Sequence, residues 1–250
     1  MATFILVHGG FYGAWCWHGT KASLEAAGHR VVAPDLPGMG DDPTPLREVS
    51  LQGWASFIAS LMLAQNEPVI LVGHSRGGVV IGEAAELAPE AVAGLIYVSA
   101  ALLPQGVSLV SVVQANAVTE HVPITPTPDG LATIIEPDAA QHAFFNCTEP
   151  AVARRAVGRL CPDPFEPNLA PMTVTRERWG RLPRAYIQCL HDNAFPIALQ
   201  RSMEAALPCE PVVLMETDHS PFLCAPEEFV RHLDDIARRF SRAHGRNDDA

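Results

Sequence analysis

Short apolar runs alternate along the chain with longer segments in which apolar residues recur at helical spacing. Apolar runs bounded by Gly, Pro and Asp are typical of strands buried on both faces of a parallel sheet. The predicted strands are Thr3–Val7, Arg30–Pro34, Val69–Val72, Val92–Val98, Arg184–Leu190 and Pro211–Met215. The predicted helices are Ala14–Ala27, Leu51–Leu63, Ile81–Leu87 and Pro196–Leu207, and a last amphipathic helix carries Phe229, Leu233, Ile236 and Phe240.

This order of elements predicts a single α/β domain over residues 1–250. Repeated strand–helix–strand units in the first 100 residues require a parallel sheet with helices on both faces. A chain of 250 residues is long enough for one such domain and needs no second core. We therefore expect about six mostly parallel strands.

The alternation stops between the strand that ends near residue 99 and the strand that starts near residue 184. Residues 103–180, called the lid segment below, are rich in proline and contain only short helical pieces. An insertion of this kind between two core strands is typical of a lid over a binding crevice. Apolar residues predicted to wall a substrate pocket are Phe11, Leu103, Phe144 and Phe145.

The strand Val69–Val72 leads directly into Gly73-His74-Ser75-Arg76-Gly77, and a helical segment follows. The order of strand, Gly-x-Ser-x-Gly turn and helix is that of a nucleophile elbow, which lifts a serine hydroxyl out of the sheet. Glycines are needed there because a β-carbon would collide with the crossing strand and helix. A serine in a simple turn or at a helix N-cap is the alternative.

A serine hydroxyl needs a base within hydrogen-bond reach, and the base needs a carboxylate to fix its tautomer. In this fold the three groups follow the chain order Ser, acid, His, each at the carboxyl end of a strand. Ser75, Asp192 and His219 satisfy that order. The rival carboxylate Asp218 adjoins His219 and is poorly placed to reach its ring. Seven further histidines are interpreted as structural, exposed or part of the lid segment: His8, His74, His121, His142, His191, His232 and His244.

The glycine pair after the first strand, Gly9-Gly10, allows backbone N–H groups to point into the crevice. The Gly10 N–H is therefore a candidate donor of an oxyanion hole, with a simple tight turn as the alternative.

Composition limits the partners. The net charge is −11 and the chain has no basic stripe, so nucleic acid and anionic membranes are poor partners. The six cysteines show neither C-x-x-C spacing nor a metal-ligand pattern, which predicts no bound metal and reduced thiols in a cytoplasmic protein. The first strand begins at Thr3 without a charged or long apolar leader, so secretion and membrane insertion are not expected.

Taken together, these motifs resemble α/β-hydrolases of the group that contains plant methylesterases, hydroxynitrile lyases and related bacterial esterases. The resemblance covers nearly the whole chain and is weakest from about 105 to 145. It rests on Val7–Gly10, Gly13–Trp17, Asp35–Gly40, Gly73–Gly78, Arg176–Gly180, Pro183–Ile187 and Asp218-His219. It implies that the N–H groups of Gly10 and Arg76 form the oxyanion hole, and that the first strand here is the third of the full fold.

The resemblance also distinguishes between activities. The lyases of this group carry a threonine after the first His of the His-Gly region and a lysine after the catalytic His, where this chain has Gly9 and Ser220. We therefore expect a carboxylesterase that cleaves small, fairly apolar esters without a cofactor. A hydroxynitrile lyase or other C–C-cleaving enzyme and a non-catalytic small-ligand-binding protein are the alternatives, and a homodimer is left open.

Arg76 departs from the small or apolar residue that follows the nucleophile in the plant members. Its N–H can still donate. Its side chain is expected either to turn aside into a salt bridge or to meet an acidic group of the substrate.

Overall fold

The structure, a computed structural model, describes residues 1–116 and 122–247. Its strands are β1 (Thr3–Val7), β2 (Arg30–Val32), β3 (Val69–His74), β4 (Val92–Val98), β5 (Ile124–Pro126), β6 (Ala132–Ile135), β7 (Asp163–Pro164), β8 (Arg184–Cys189) and β9 (Val212–Met215). Its α-helices are α1 (His18–Ala26), α2 (Leu51–Leu63), α3 (Gly77–Leu87), α4 (Leu109–Ala115), α5 (Pro137–Phe144), α6 (Pro150–Val157), α7 (Glu166–Leu169), α8 (Ile197–Ala206), α9 (Pro221–Cys224) and α10 (Pro226–Asn247).

Six of the strands form one parallel sheet in the order β2-β1-β3-β4-β8-β9. This arrangement confirms the predicted fold class of a six-stranded parallel sheet. The register pairs Val7 with Gly73, His74 with Val98, and Cys189 with Met215. The loops after these strands therefore meet along one edge of the sheet, which is where open α/β sheets bind ligands.

The last helix, α10, packs closely against the central sheet. A β-carbon on Gly94 in β4 would lie 2.3 Å from the Phe240 ring of α10, so only glycine fits there. Phe229, Leu233 and Ile236 on the same helix are buried, as their helical spacing predicts.

The first predicted helix begins differently from expectation. Residues Ala14–Trp17 form a 3₁₀ turn, and α1 starts only at His18. The Ala14 N–H donates to Asp35 Oδ1 at 2.6 Å, and the tight turn stacks Trp15 on Tyr12. The contact with Asp35, 21 residues away, could not be read from local spacing.

The lid segment contains more regular structure than its proline content suggests. Besides α4 to α7 it has a small antiparallel sheet of β5, β6 and β7, which the sequence did not predict. These strands have two to four residues, and Pro126 and Pro164 lie within them. Such short, proline-containing strands carry no clear period-2 signal. His121 and the side chain of His244 lie outside the described part of the chain.

None of the helices in the described ranges is both long and apolar enough to span a bilayer.

Candidate active site

Ser75 lies at the tip of a sharp turn between β3 and α3. Its φ is +53°, a left-handed conformation that is strained for a residue with a β-carbon. The glycines of the motif make room for this turn: a β-carbon on Gly77 would lie 2.6 Å from the Val7 carbonyl oxygen, and one on Gly73 would lie 2.7 Å from the Gly77 carbonyl oxygen. The backbone thus has the geometry expected of a nucleophile elbow.

The carboxylate and the imidazole predicted to act with Ser75 are in contact. Asp192 follows β8, His219 follows β9, and His219 Nδ1 lies 2.7 Å from Asp192 Oδ2. Both side chains are buried. Ser75 and His219 line the same cavity. The structure therefore brings the three predicted residues to one edge of the sheet in the order that the fold requires.

Several donors hold the Asp192 carboxylate in place. The N–H groups of Ala194 and Phe195 each donate to Oδ1 at 2.7 Å, and the Ser99 hydroxyl donates to Oδ2. Gln200 Nε2, on α8, lies 3.4 Å from Oδ2. These bonds fix the orientation of the carboxylate that contacts His219. Sequence reasoning missed Ser99 and Gln200, although the position of Ser99 at the carboxyl end of β4 was a usable signal.

His74 supports the backbone of the base. Its Nε2–H donates to the His219 carbonyl oxygen at 2.8 Å, and the two ring centroids are 4.6 Å apart. Burial lowers the pKa of His74 well below its ordinary value, so this ring stays neutral. As the sequence suggested, His74 packs beneath the turn.

His8 also has a structural position. Its Nε2 accepts the Leu36 N–H at 3.1 Å, and its Nδ1–H donates to the Gly9 carbonyl oxygen at 2.9 Å. Burial lowers the pKa of His8 to about 4. Both ring nitrogens are thus used in fixing the loop that carries Gly10.

The two predicted oxyanion-hole donors lie on the same cavity as Ser75 and His219. Gly10 follows β1, and Arg76 precedes α3, where the first N–H groups of a helix lack intrahelical acceptors. Phe11, next to Gly10, has φ +65°. This loop is therefore a second strained backbone segment at the site.

The Arg76 side chain is buried and forms an ion pair with Asp163. Its guanidinium carbon also lies 4.3 Å from the centroid of the Trp54 ring. Burial lowers the pKa of Arg76, whereas the Asp163 carboxylate raises it. Of the two interpretations of this side chain, the structure favours the salt bridge. Asp163 was not recognised from the sequence, because its partner is 87 residues away.

The cavity has a volume of about 330 Å³ and is mostly apolar. Of the four residues predicted to wall a substrate pocket, Phe11 and Phe144 line this cavity. Leu103 and Phe145 are buried in the core and are not among the described residues that line it. Phe145 packs against Tyr12 and Phe144 instead. Further lining residues come from the lid segment and the loop after Asp192: Leu109, Val110, Val113, Val122, Ile124, Phe165, Leu169 and Phe195.

The rival acid Asp218 faces away from the imidazole. Its Oδ2 accepts the Cys147 N–H at 2.9 Å and the Thr148 hydroxyl at 2.8 Å, and its Oδ1 accepts the Ser220 N–H at 3.0 Å. Asp218 therefore ties the lid segment to the loop that carries His219. Burial raises the pKa of its carboxyl above the ordinary 3.8, although these hydrogen bonds lower it.

This raised pKa predicts a pH-dependent effect on stability. Asp218 in the folded protein binds its proton more tightly than it does in the unfolded chain, and this difference contributes to the free energy of unfolding. The contribution is fully present below pH 3.8 and is lost as the pH rises through the pKa of Asp218 in the folded protein. Relative to Asp218→Asn, whose amide does not titrate, the unfolding free energy of the wild type should fall by at most about 1.4 kcal/mol per pH unit in that window. Urea unfolding of both proteins at a series of pH values measures this, and a difference independent of pH would contradict it.

Comparison with known proteins agrees with this arrangement. The model of the alpha/beta hydrolase family matches residues 4–232. Methylesterase 1 of Arabidopsis thaliana is 33% identical over 95% of this chain and 96% of its own length. Polyneuridine aldehyde esterase of Rauvolfia serpentina is 30% identical over 94% and 95% of the two chains. The chain spans only 64% and 56% of two putative chloroplastic methylesterases of Arabidopsis thaliana that it also matches.

Solved structures give the same result. The crystal structure of polyneuridine aldehyde esterase superposes with a TM-score of 0.83 at 28% identity, covering 95% of this chain and 99% of that one. A pyrethroid hydrolase from Sphingobium faniae JZ-2 superposes with a TM-score of 0.85 at 29% identity, covering 95% and 97%. With its parallel sheet and with a family model that matches most of its length, the chain belongs to the alpha/beta hydrolase family.

Proposed function

We propose that this protein is a serine carboxylesterase that cleaves small, fairly apolar carboxylic esters. The observation that carries the proposal is the 2.7 Å contact between His219 and Asp192 beside a cavity that Ser75 shares with His219. Among the relatives, the methylesterases and polyneuridine aldehyde esterase are esterases by name. The apolar cavity wall supports the choice of an apolar substrate.

The proposed reaction has two steps that use the same groups. In the first, Ser75 Oγ attacks the ester carbonyl carbon, His219 takes the hydroxyl proton, and that proton passes to the departing alcohol oxygen as the acyl–oxygen bond breaks. In the second, His219 takes a proton from water, the resulting hydroxide attacks the acyl-enzyme, and Ser75 leaves with the proton. The N–H groups of Gly10 and Arg76 stabilise the oxyanion in both steps, a contribution of about 3–4 kcal/mol per donor.

A panel of p-nitrophenyl and methyl esters that varies the acyl and alcohol parts separately tests this proposal. Hydrolysis of the acetate and butyrate, together with stoichiometric labelling by a fluorophosphonate, would support it. Release of cyanide from mandelonitrile without ester hydrolysis would point instead to the lyase. Tight binding of an apolar ligand without turnover or labelling would point to the non-catalytic alternative.

Two observations weigh against the lyase. Ser220 stands where the lyases carry lysine, and its hydroxyl is 2.8 Å from the Tyr12 hydroxyl. Arg76, the cation on the described cavity wall, is already paired with Asp163 and so offers little charge to a departing cyanide.

The lid segment should set the preferred acyl length. Val113 on α4 lines the cavity, so Val113→Phe should narrow it and lower kcat/KM for longer acyl chains about 10-fold relative to the acetate. Val112→Phe, on the same helix but off the described cavity wall, is the matched control. Assays of p-nitrophenyl acetate, butyrate and octanoate with both variants check this prediction. An unchanged preference in Val113→Phe would show that the substrate does not reach α4.

A further inference from the structure

We propose that Asp163 is a positioning residue of the oxyanion hole, and that the Arg76 side chain neutralises its charge. In this arrangement the Asp163 carboxylate, which belongs to the lid segment, holds the loop that carries the Gly10 N–H donor. Its counter-ion is the side chain of Arg76, whose backbone N–H is the second donor. The inference rests on the proposed function, because it concerns how that site stabilises a developing negative charge.

The contacts of Asp163 lead to both donor residues. Asp163 lies on β7 and is buried. Its Oδ1 accepts the Phe11 N–H at 3.3 Å and also accepts a bond from an Arg76 guanidinium nitrogen. On the other side, Asn168 Nδ2 donates to Oδ2 at 2.9 Å and fixes the orientation of the carboxylate. A single oxygen atom thus connects the Gly10–Phe11 loop to Arg76, the residue that precedes α3.

The hydrogen bond from the Phe11 N–H to Asp163 restrains a strained part of the backbone. Phe11 has φ +65°, a conformation that a residue with a β-carbon keeps only when its surroundings enforce it. The carboxylate also packs directly on Gly10, since a β-carbon there would lie 3.0 Å from Asp163 Oδ2. The direction of the neighbouring Gly10 N–H therefore depends on Asp163.

A carboxylate so close to the oxyanion hole has an electrostatic disadvantage, because its negative charge repels the developing oxyanion in a mostly apolar cavity. The buried Arg76 guanidinium cancels that charge. It is itself held against the Trp54 ring, and its second terminal nitrogen lies 3.5 Å from the Gly9 carbonyl oxygen. Removing one member of such a buried pair leaves the other uncompensated, whereas removing both is often tolerated.

Four variants separate the two roles. Asp163→Ala removes the acceptor of the Phe11 N–H and should lower kcat about 10²-fold, the usual cost of one lost oxyanion donor, with KM changed less than about 3-fold. Asp163→Asn keeps an acceptor oxygen and should stay within about 10-fold of the wild type. Arg76→Met leaves the carboxylate unpaired and should lower kcat about 10²-fold. Adding Asp163→Asn to Arg76→Met should recover kcat at least about 10-fold.

Each kcat for p-nitrophenyl butyrate is normalised to the folded fraction measured by circular dichroism. Asp129→Ala is the matched control, because Asp129 is an exposed lid-segment carboxylate that caps the turn before β6. If Asp163→Ala does not fold, Asn168→Ala tests the same restraint on the carboxylate and should lower kcat without changing KM.

Equal losses in Asp163→Asn and Asp163→Ala would overturn the positioning role. A double variant no better than Arg76→Met would overturn the neutralising role. Variants that lose stability while keeping the wild-type kcat per folded molecule would show a purely structural ion pair and overturn both. If the wild type itself neither hydrolyses esters nor is labelled at Ser75, the proposed function fails and this inference fails with it. If the wild type is active and the variants keep its kcat, this inference alone is wrong and the proposed function stands.

Discussion

Replacing Ser75 with alanine should lower kcat for p-nitrophenyl butyrate about 10⁶-fold, the loss seen when the nucleophile of a serine hydrolase is removed. In the proposed reaction this hydroxyl forms the acyl-enzyme, and no other nucleophile is assigned to that step. The fold should persist, because alanine and serine carry the same β-carbon and meet the same strain at φ +53°.

Ser202→Ala is the control for this measurement. Ser202 is exposed on α8 and donates to the Leu199 carbonyl oxygen at 2.9 Å, far along the chain from the elbow. It should keep full activity and full fluorophosphonate labelling, whereas Ser75→Ala should lose both. Activity retained in a folded Ser75→Ala protein would contradict the assignment of the nucleophile.

The second large effect is expected from Asp192→Asn, which should lower kcat about 10⁴-fold. The amide oxygen can still accept the N–H groups of Ala194 and Phe195, so the amide nitrogen faces His219 Nδ1. That nitrogen is a donor, and it forces the imidazole to carry its proton on Nε2. The ring then cannot accept the proton from Ser75.

Steady-state kinetics of Asp192→Asn and Asp218→Asn, compared side by side, identify the acid. Asp218 bonds to the lid segment rather than to the imidazole, so its amide variant should lose far less activity. The opposite ranking would mean that Asp218 orients His219 and that the 2.7 Å contact with Asp192 is not the catalytic one.

The central sheet and the candidate triad could be predicted because their signals are local. The strand Thr3–Val7, for example, is apolar from Phe4 to Val7, and all five of its residues are buried. Parallel strands place their carboxyl ends together, so three short motifs in chain order were enough to bring Ser75, Asp192 and His219 to one place.

The rest of the site depends on contacts between residues far apart in the chain. Ser99 reaches Asp192 across 93 positions, and Arg76 reaches Asp163 across 87. The cavity wall shows the same limit: Phe144 faces the cavity, whereas its neighbour Phe145 packs into the core. At the end of a short helix, composition alone does not tell which of two adjacent phenylalanines faces the substrate.

Arg76, next to Ser75, is another case in which a distant contact decides the role of a residue. The sequence shows an arginine after the candidate nucleophile but does not identify the carboxylate that pairs with it. Because Asp163 belongs to a two-residue strand that has no recognisable pattern, the choice between substrate contact and salt bridge required the structure.

Rapid-quench mass spectrometry of the protein mixed with p-nitrophenyl butyrate tests whether Ser75 is the nucleophile. We expect a transient mass increase equal to one butyryl group, located on the peptide that contains Ser75 and absent from Ser75→Ala. Release of p-nitrophenol with no adduct, or with the adduct on a different residue, would contradict it.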